Sequence, residues 1–473
     1  MGTINSALIL TSQALDADQS ALNIVANNVA NANTPGYTKE TPNWRENDPV
    51  EINGTSYGNG VTETGATSVR DSVLEERLNQ QQQLASASSA RLSALNNVQA
   101  LFTPDSGSST STAGDIGSDL TSFFSSFSSL EANPTDNALR QDVLSKASTL
   151  AGDISNAAAS LNSQRSALDQ EAAGVTSQVN SLTSAIVQLN QQIQSTSPDG
   201  DAGTLEDQRQ QNLSQLSQLI GINQVTTEDN GLEITTTSGQ LLVSEGSSVL
   251  LTAGTVNGIT DFYLGGADIT SQLAGGGGEL GGYLAARDQD IPGVLSSLDQ
   301  LAHSISTLVN AQNNHGTDLD GVSGTVAEPL NIFSQPTVVA GSAANMSVVM
   351  TNPNQIAAAG LGDGTGDNSN AVAMANLAKQ EIVNGQTPTD YYSNLVTALG
   401  STVSGVQTEN TAQNASVTQL QTQNDALSSV NLDDEASSLT TLERSYQAAS
   451  RVFTTLNTIM SSALNLGEET AVA

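Results

Sequence analysis

Residues 4–37 read INSALILTSQALDADQSALNIVANNVANANTPGY. Leu8, Leu15, Leu22 and Val29 recur every seven residues, Ile4 and Val25 fall on the adjoining position, and Ala14 and Ala21 flank the stripe. This spacing predicts an amphipathic helix with a narrow, coiled-coil type seam. Pro35 lacks an N–H and biases Thr34 away from the α region, so the helix should stop near Asn31 to Asn33, with a turn at Pro35-Gly36.

The other end of the chain answers it. Leu432, Leu439, Tyr446, Phe453 and Met460 form one seam; Glu435, Leu442, Ala449, Leu456 and Ala463 form a second. One helix of this length is marginal in water. The two ends are therefore expected to pair with each other, or with copies of themselves.

Between the ends the period changes twice. Residues 38–70 read as strands and turns around Trp44, with Asn53-Gly54 as a hairpin signal. A helical pattern resumes near Val69 and runs to Leu101. A Ser/Thr-rich break follows from Thr103 to Gly117, and Phe123, Phe124 and Phe127 then sit at helical spacing as core anchors. From Asp136 to Gln194 no proline occurs, and Ile154, Leu161, Leu168, Val175, Leu182 and Leu189 hold successive heptad positions. Unbroken, that helix is on the order of 80 to 90 Å long. Gly152 and Gly174 are its potential interruptions. Ser197 to Gly200 should end it, with Leu205 to Leu219 returning antiparallel. Residues 222–273 switch to period two and predict a small β domain, and Gly275 to Gly278 read as a hinge-like run. Helices are expected again over Leu295–Val309, Asn368–Val383, Tyr391–Leu399 and Val403–Leu427.

The expected fold is multi-domain and mainly α: paired terminal helices of coiled-coil type and a long helical stem with an inserted small β domain. The expected divisions are 1–37 with 428–473 as the assembly domain, 38–221 with 279–427 as the stem (including a short β/turn segment near 38–68), and 222–278 as the β insertion.

Asn27-Asn28-Val29-Ala30-Asn31-Ala32-Asn33-Thr34-Pro35-Gly36-Tyr37 resembles the N-terminal signature of flagellar axial proteins, the rod and hook family. Ser429-Val430-Asn431-Leu432-Asp433-Asp434-Glu435-Ala436, followed by Tyr446-Gln447-Ala448, is similar to the end of the hook–filament junction (FlgK) family. The stretches Tyr57 to Val61, Gly277 to Leu284 and Asn313 to Gly321 resemble further segments of that family. The resemblance implies a structural component joining hook to filament, assembled as a ring of copies. Its implied partners are the hook protein, a second junction protein, and an export chaperone on the C-terminal helix. It also implies an extracellular place on the flagellum, reached by type III export without cleavage of a signal peptide. The residues expected to carry assembly are Leu8, Leu15, Leu22, Val25 and Val29 with Leu432, Leu439, Leu442, Tyr446, Phe453, Leu456 and Met460. The signature itself is Asn27, Asn28, Asn31, Asn33, Thr34, Pro35, Gly36 and Tyr37. Two alternatives stay open: another rod or hook protein, which would share the N-terminal motif, and a non-flagellar coiled-coil scaffold or adhesin, which would share the periodicity.

Composition fits a scaffold. The 473 residues carry 13 Lys+Arg against 48 Asp+Glu, a formal charge of −35. Nucleic-acid binding draws on cationic contacts to phosphate, so this balance argues against nucleic acid and anionic membranes as partners. There is no cysteine, which excludes disulfides and thiolate metal sites. No run approaches 18 apolar residues, and the N-terminus lacks a positive n-region. His303 and His315 are the two histidines, and no His-Glu-x-x-His motif is present. No Gly-x-Ser-x-Gly elbow occurs. The acidic loops at Asp318 and Asp363 lack the glycine and glutamate positions of an EF-hand. No enzyme activity, cofactor or metal is expected.

Overall fold

The computed structural model describes residues 2–52, 54–102, 115–197, 201–227 and 229–469. Asn53, residues 103–114 of the expected Ser/Thr break, and Pro198 to Gly200 of the expected helix end lie outside the described residues.

Helix α1 (Gly2–Asn31) opens the chain. Strands β1 (Glu40–Glu46) and β4 (Val61–Ser68) then pair antiparallel as a ribbon, with a register shift between Pro42 and Trp44. Its far end is a short hairpin, β2 (Val50–Ile52) with β3 (Thr55–Tyr57). Helix α2 (Ser72–Ala100) starts where the Asp71 carboxylate accepts from the N–H groups of Val73 and Leu74. Helix α3 (Ile116–Ala132) precedes α4 (Asn137–Thr196), which spans 60 residues and so is about 90 Å long. Asp136 caps α4 in the same way. Neither Gly152 nor Gly174 interrupts it, because Ile154, Leu161, Leu168 and Val175 are buried along its length. Helix α5 (Thr204–Leu219) follows.

The period-two region forms β5 (Ile222–Thr226), β6 (Leu232–Thr236), β7 (Leu241–Ser244) and β8 (Ser247–Ser248) as one antiparallel sheet. Strands β9 (Leu251–Val256), β10 (Ile259–Leu264) and β11 (Ala267–Asp268) form a second. Asn257 and Gly258, both at positive φ, make the two-residue turn between β9 and β10. Helix α6 (Thr270–Leu273) leads to α7 (Gly278–Ala285), a π turn (Ala286–Asp290) and α8 (Ile291–Asn314). After a loop region come α9 (Ser369–Asn376), α10 (Pro388–Ser428) and α11 (Leu432–Glu469).

Two hydrophobic clusters fill the body. One joins α3, the first half of α4, α8, α9 and the first half of α10, with Phe123 packed edge-on to Phe127 and Phe333. The other joins the second half of α4 to α5, α7 and the sheets through Val179, Ile186, Leu216, Ile234 and Phe262. The strands thus share a core with the stem rather than enclosing one of their own.

Three local expectations change. The glycine run at 275–278 is no hinge. A Cβ on Gly278 would lie 2.4 Å from the Ile220 nitrogen, and one on Gly221 would lie 1.4 Å from the Gly276 oxygen. The run serves close backbone packing. The helix expected to reach Val383 stops at Asn376, continues as a 3-10 turn over Leu377–Lys379, and gives way to a tight turn at Asn384-Gly385, both at positive φ. The two expected helices after Tyr391 are one: α10 runs unbroken, because its polar second half is held to α2 by hydrogen bonds. Asn410 donates to Ser88 Oγ (3.1 Å), and Gln81 pairs with Gln413.

Candidate functional site

The two chain ends meet in one buried polar knot. Helix α1 ends at Asn31, as Pro35 requires. Thr34 to Tyr37 then form a type II turn: the Tyr37 N–H donates to the Thr34 carbonyl (3.2 Å), Pro35 sits second and Gly36 third at φ +77°. Gln211 of α5 donates to the Pro35 carbonyl (2.6 Å), and a Cβ on Gly36 would lie 2.3 Å from Gln211 Nε2. The positive φ is what calls for glycine there, and a Cβ would also displace the Gln211 amide.

The turn brings the chain back onto Asn28, which is 1% exposed. Its Oδ1 accepts from the Glu40 N–H (3.0 Å) and the Tyr37 hydroxyl (2.8 Å). Its Nδ2 donates to the Glu40 carbonyl (2.8 Å) and to Glu435 Oε2 (3.3 Å). All four hydrogen-bonding sites of the amide are thereby used. Glu435, in the first turn of α11, is itself 2% exposed and also takes Lys39 Nζ at 3.0 Å. Asn27 donates to the Tyr37 oxygen (3.3 Å), Asn31 Nδ2 bonds back to Asn27, and Thr34 Oγ1 donates to Asn31 Oδ1 (3.2 Å). Asn33 is exposed. Burial, with Glu40, Asp207 and Glu435 nearby, drives the Tyr37 phenol far above its ordinary value, so it stays a hydrogen-bond donor.

The knot extends into the stem. The Lys39 N–H donates to the Ser428 carbonyl (2.8 Å) at the end of α10, and the Thr38 N–H donates to Asp207 Oδ2 (3.0 Å). Arg70 reaches Asp207 (2.6 Å), Glu206 (3.6 Å) and Glu75 (3.8 Å). Ser68 binds Asp201 through Oγ (2.9 Å). One signature thus fixes α1, the ribbon, α5, α10 and α11 together.

From this knot α1 and α11 run antiparallel as a pair. On α11 the half-buried stripe is Leu442, Tyr446, Phe453, Leu456 and Met460, while Leu432 (51%) and Leu439 (38%) are exposed. On α1 the buried apolar positions are Ala17, Ala21, Ile24 and Val25; Leu8, Leu15 and Leu22 are half-buried, and Val29 is 46% exposed. The buried arc is rotated from the leucine heptad because α1 packs on both α11 and the ribbon, where Leu10 and Gln13 lie against Gly60. Alanine at the centre lets the backbones approach. Lys39, Glu40, Asp207 and Gln211 were not picked out by periodicity. Glu435 gave a signal, since a carboxylate on an apolar seam needs a buried partner.

This geometry holds segments from both ends of the chain together. Among the described residues no group of three His, Cys, Asp or Glu side chains could hold a metal ion. No helix among them is long and apolar enough to cross a membrane.

Three segments of the chain match families of known proteins. Residues 105–326 match the family described as flagellar hook-associated protein FlgK helical domain. Residues 6–38 match the flagella basal body rod protein family, and residues 423–466 match the flagellar basal body rod FlgEFG protein C-terminal family. The chain is 26% identical over 550 residues to flagellar hook-associated protein 1 of Salmonella typhimurium, covering 96% of this chain and 98% of that one. Over nearly its whole length this chain is thus similar to the hook-associated proteins of the FlgK family. The Escherichia coli protein of the same name is 26% identical over 555 residues, with 98% and 99% covered. The Bacillus subtilis one is 26% identical over 504 residues, with 96% of each covered. The structure of the flagellar hook junction protein FlgK from Burkholderia pseudomallei superposes with a TM-score of 0.63 at 19% identity, covering 74% of this chain and 99% of that one, and so shares the fold. The two rod-type matches fall on the two helices that the knot joins.

Proposed function

We infer that this protein is a structural axial component of the bacterial flagellum that joins the hook to the filament. The observation that carries the reading is the Asn28–Glu435 knot. It assembles both rod-type ends of one chain into a single helical pair while leaving Val29, Leu432 and Leu439 exposed. Copies pack through the outer faces of that pair into a ring, with the hook protein on one side and a second junction protein on the other. Before export, the C-terminal helix is covered by a cytoplasmic chaperone, since an unpaired apolar stripe is an aggregation hazard. The chain leaves by the flagellar type III route without cleavage of a signal peptide.

The test is electron microscopy of cells lacking this chain, with the medium assayed for filament protein. Bare hooks with filament protein lost to the medium are expected. Normal filaments would overturn the junction role. Cells without hooks would move the chain to the rod or hook.

A further inference from the structure

The chain's few cations are unevenly spent. Lys39, Arg70, Arg91, Arg140, Arg165, Arg209 and Arg287 are tied within the fold by ion pairs or hydrogen bonds. Of the six others, Arg444 and Arg451 both lie on α11 and both are exposed. At 100° per residue they fall about 180° from the centre of the stripe that faces α1. They therefore point straight away from the pair, and Val452 (51%) and Ile459 (47%) stand exposed on the flank, about 60–100° round the helix from them. Among the described residues neither arginine has an intrachain ion pair.

The complementary surface is on the ribbon. Trp44, the single tryptophan, is 47% exposed. Glu63 pairs with it across the strands, and Glu46 follows it on the same face by alternation. Among the described residues no cation pairs with either carboxylate. Beside Trp44 runs a groove of about 320 Å³ between β1 and the first turns of α11, floored by Val25 and Leu442. One surface offers two cations and two aliphatic side chains. The other offers two carboxylates, an indole and an apolar groove.

We propose that these two surfaces dock on each other between neighbouring copies of this chain. Arg444 and Arg451 of one copy meet Glu46 and Glu63 of the next, and Val452 and Ile459 cover Trp44 and its groove. The proposal rests on the ring reading above and specifies its contact. Because two different patches meet, the contact is heterologous and propagates head to tail, which closes into a ring when the rotation allows. Charge complementarity selects the register and counters the repulsion between copies of net charge −35. Trp and Arg supply the kind of anchor that dominates interfaces, including stacking of guanidinium on indole.

Two sets of variants test it in cells whose own copy of the gene is deleted. A chain carrying Arg444→Glu and Arg451→Glu should be exported and should keep the wild-type circular dichroism spectrum, yet be lost from the hooks, with swimming abolished. Adding Glu46→Arg and Glu63→Arg should restore swimming. In this cysteine-free chain, Glu63→Cys with Arg451→Cys should give a ladder of covalent multimers when isolated flagella are oxidised. Wild-type retention of the charge-reversed chain would overturn the proposal, as would a dicysteine chain that is built into flagella but stays monomeric. Formaldehyde fixation of wild-type flagella separates the two levels. Fixed multimers without the disulfide ladder leave the ring standing and remove this contact, whereas fixed monomers alone remove both.

Discussion

Asn28 and Glu435 stand 407 residues apart in the chain, and their side chains are joined by a buried hydrogen bond of 3.3 Å. The bond closes a circuit that starts at the end of α1, passes through the type II turn and returns from the far end of the stem. A buried carboxylate is tolerated only with partners, and here those partners are one amide and one ammonium.

Asn28→Ala should therefore loosen both ends at once. It strands the Glu40 N–H and leaves Glu435 with Lys39 alone. The expected cost is about 1–3 kcal/mol. Limited proteolysis should show earlier cutting in α1 and α11, with the stem resistant. Asn28→Asp should be worse, because a second carboxylate would face Glu435. Unchanged digestion of both variants would show that the knot does not hold the ends.

Much of the architecture was legible because period is a strong signal over long elements. The 60-residue α4, the return of α5 and the switch to strands at Ile222 all follow from spacing. The exposed Val29 was not legible. A heptad identifies a helix with a stripe, but the angle of burial depends on how many partners the helix has, and α1 has two. The packing of the glycines at 276–278 is not legible in the sequence for a related reason. Glycine permits both flexibility and close approach, and only the neighbouring Ile220 backbone decides between them. The knot was half legible: the asparagine-rich motif was visible, but its partners Lys39, Asp207 and Gln211 are brought in by tertiary structure.

Arg287 offers a second test, at the joint between α4, β10 and the π turn. It is 1% exposed, and it donates to Asp169 Oδ1 (2.6 Å), the Thr260 carbonyl (2.7 Å) and both oxygens of Asp288. Arg287→Met keeps the volume but removes every one of these bonds. Asp169 remains bonded to Thr260, which limits the damage. A loss of about 1–3 kcal/mol is expected in denaturant unfolding, larger than for Arg77→Met on the exposed surface of α2. Equal midpoints for the two variants would contradict this role.

Stability should fall as pH rises towards neutrality. Burial pushes the Glu75 carboxyl from its ordinary 4.5 up to about 7, against the pull of Arg70 and with Asp207, Glu206 and Asp71 adding to the rise. Asp119, half-buried beside Asp153, is likewise raised to about 7. A raised acid binds its proton more tightly in the folded state, so its contribution is full below the unfolded value and lost as pH rises through about 7. Denaturant midpoints should therefore drop between pH 5 and pH 8. Glu75→Gln, which cannot ionise, should flatten that drop and raise the midpoint at pH 8. A variant with the wild-type slope would show that Glu75 does not contribute to it.

The last contrast separates folding from assembly. Val25 is 5% exposed and Val29 is 46% exposed, one helical turn apart on α1. Val25→Asp buries a charge between α1 and α11 and also gives up the burial of a valine, about 1.5–3 kcal/mol by itself. It should destabilise the isolated chain and expose its ends to protease. Val29→Asp adds a charge to an exposed position, where substitutions usually change stability by less than about 0.5 kcal/mol. The isolated chain should then melt like wild type. If the outer face of the helical pair is the surface that copies share, Val29→Asp should still weaken incorporation into flagella. Normal swimming with Val29→Asp, beside a proteolysed Val25→Asp chain, would confine the role of α1 to folding.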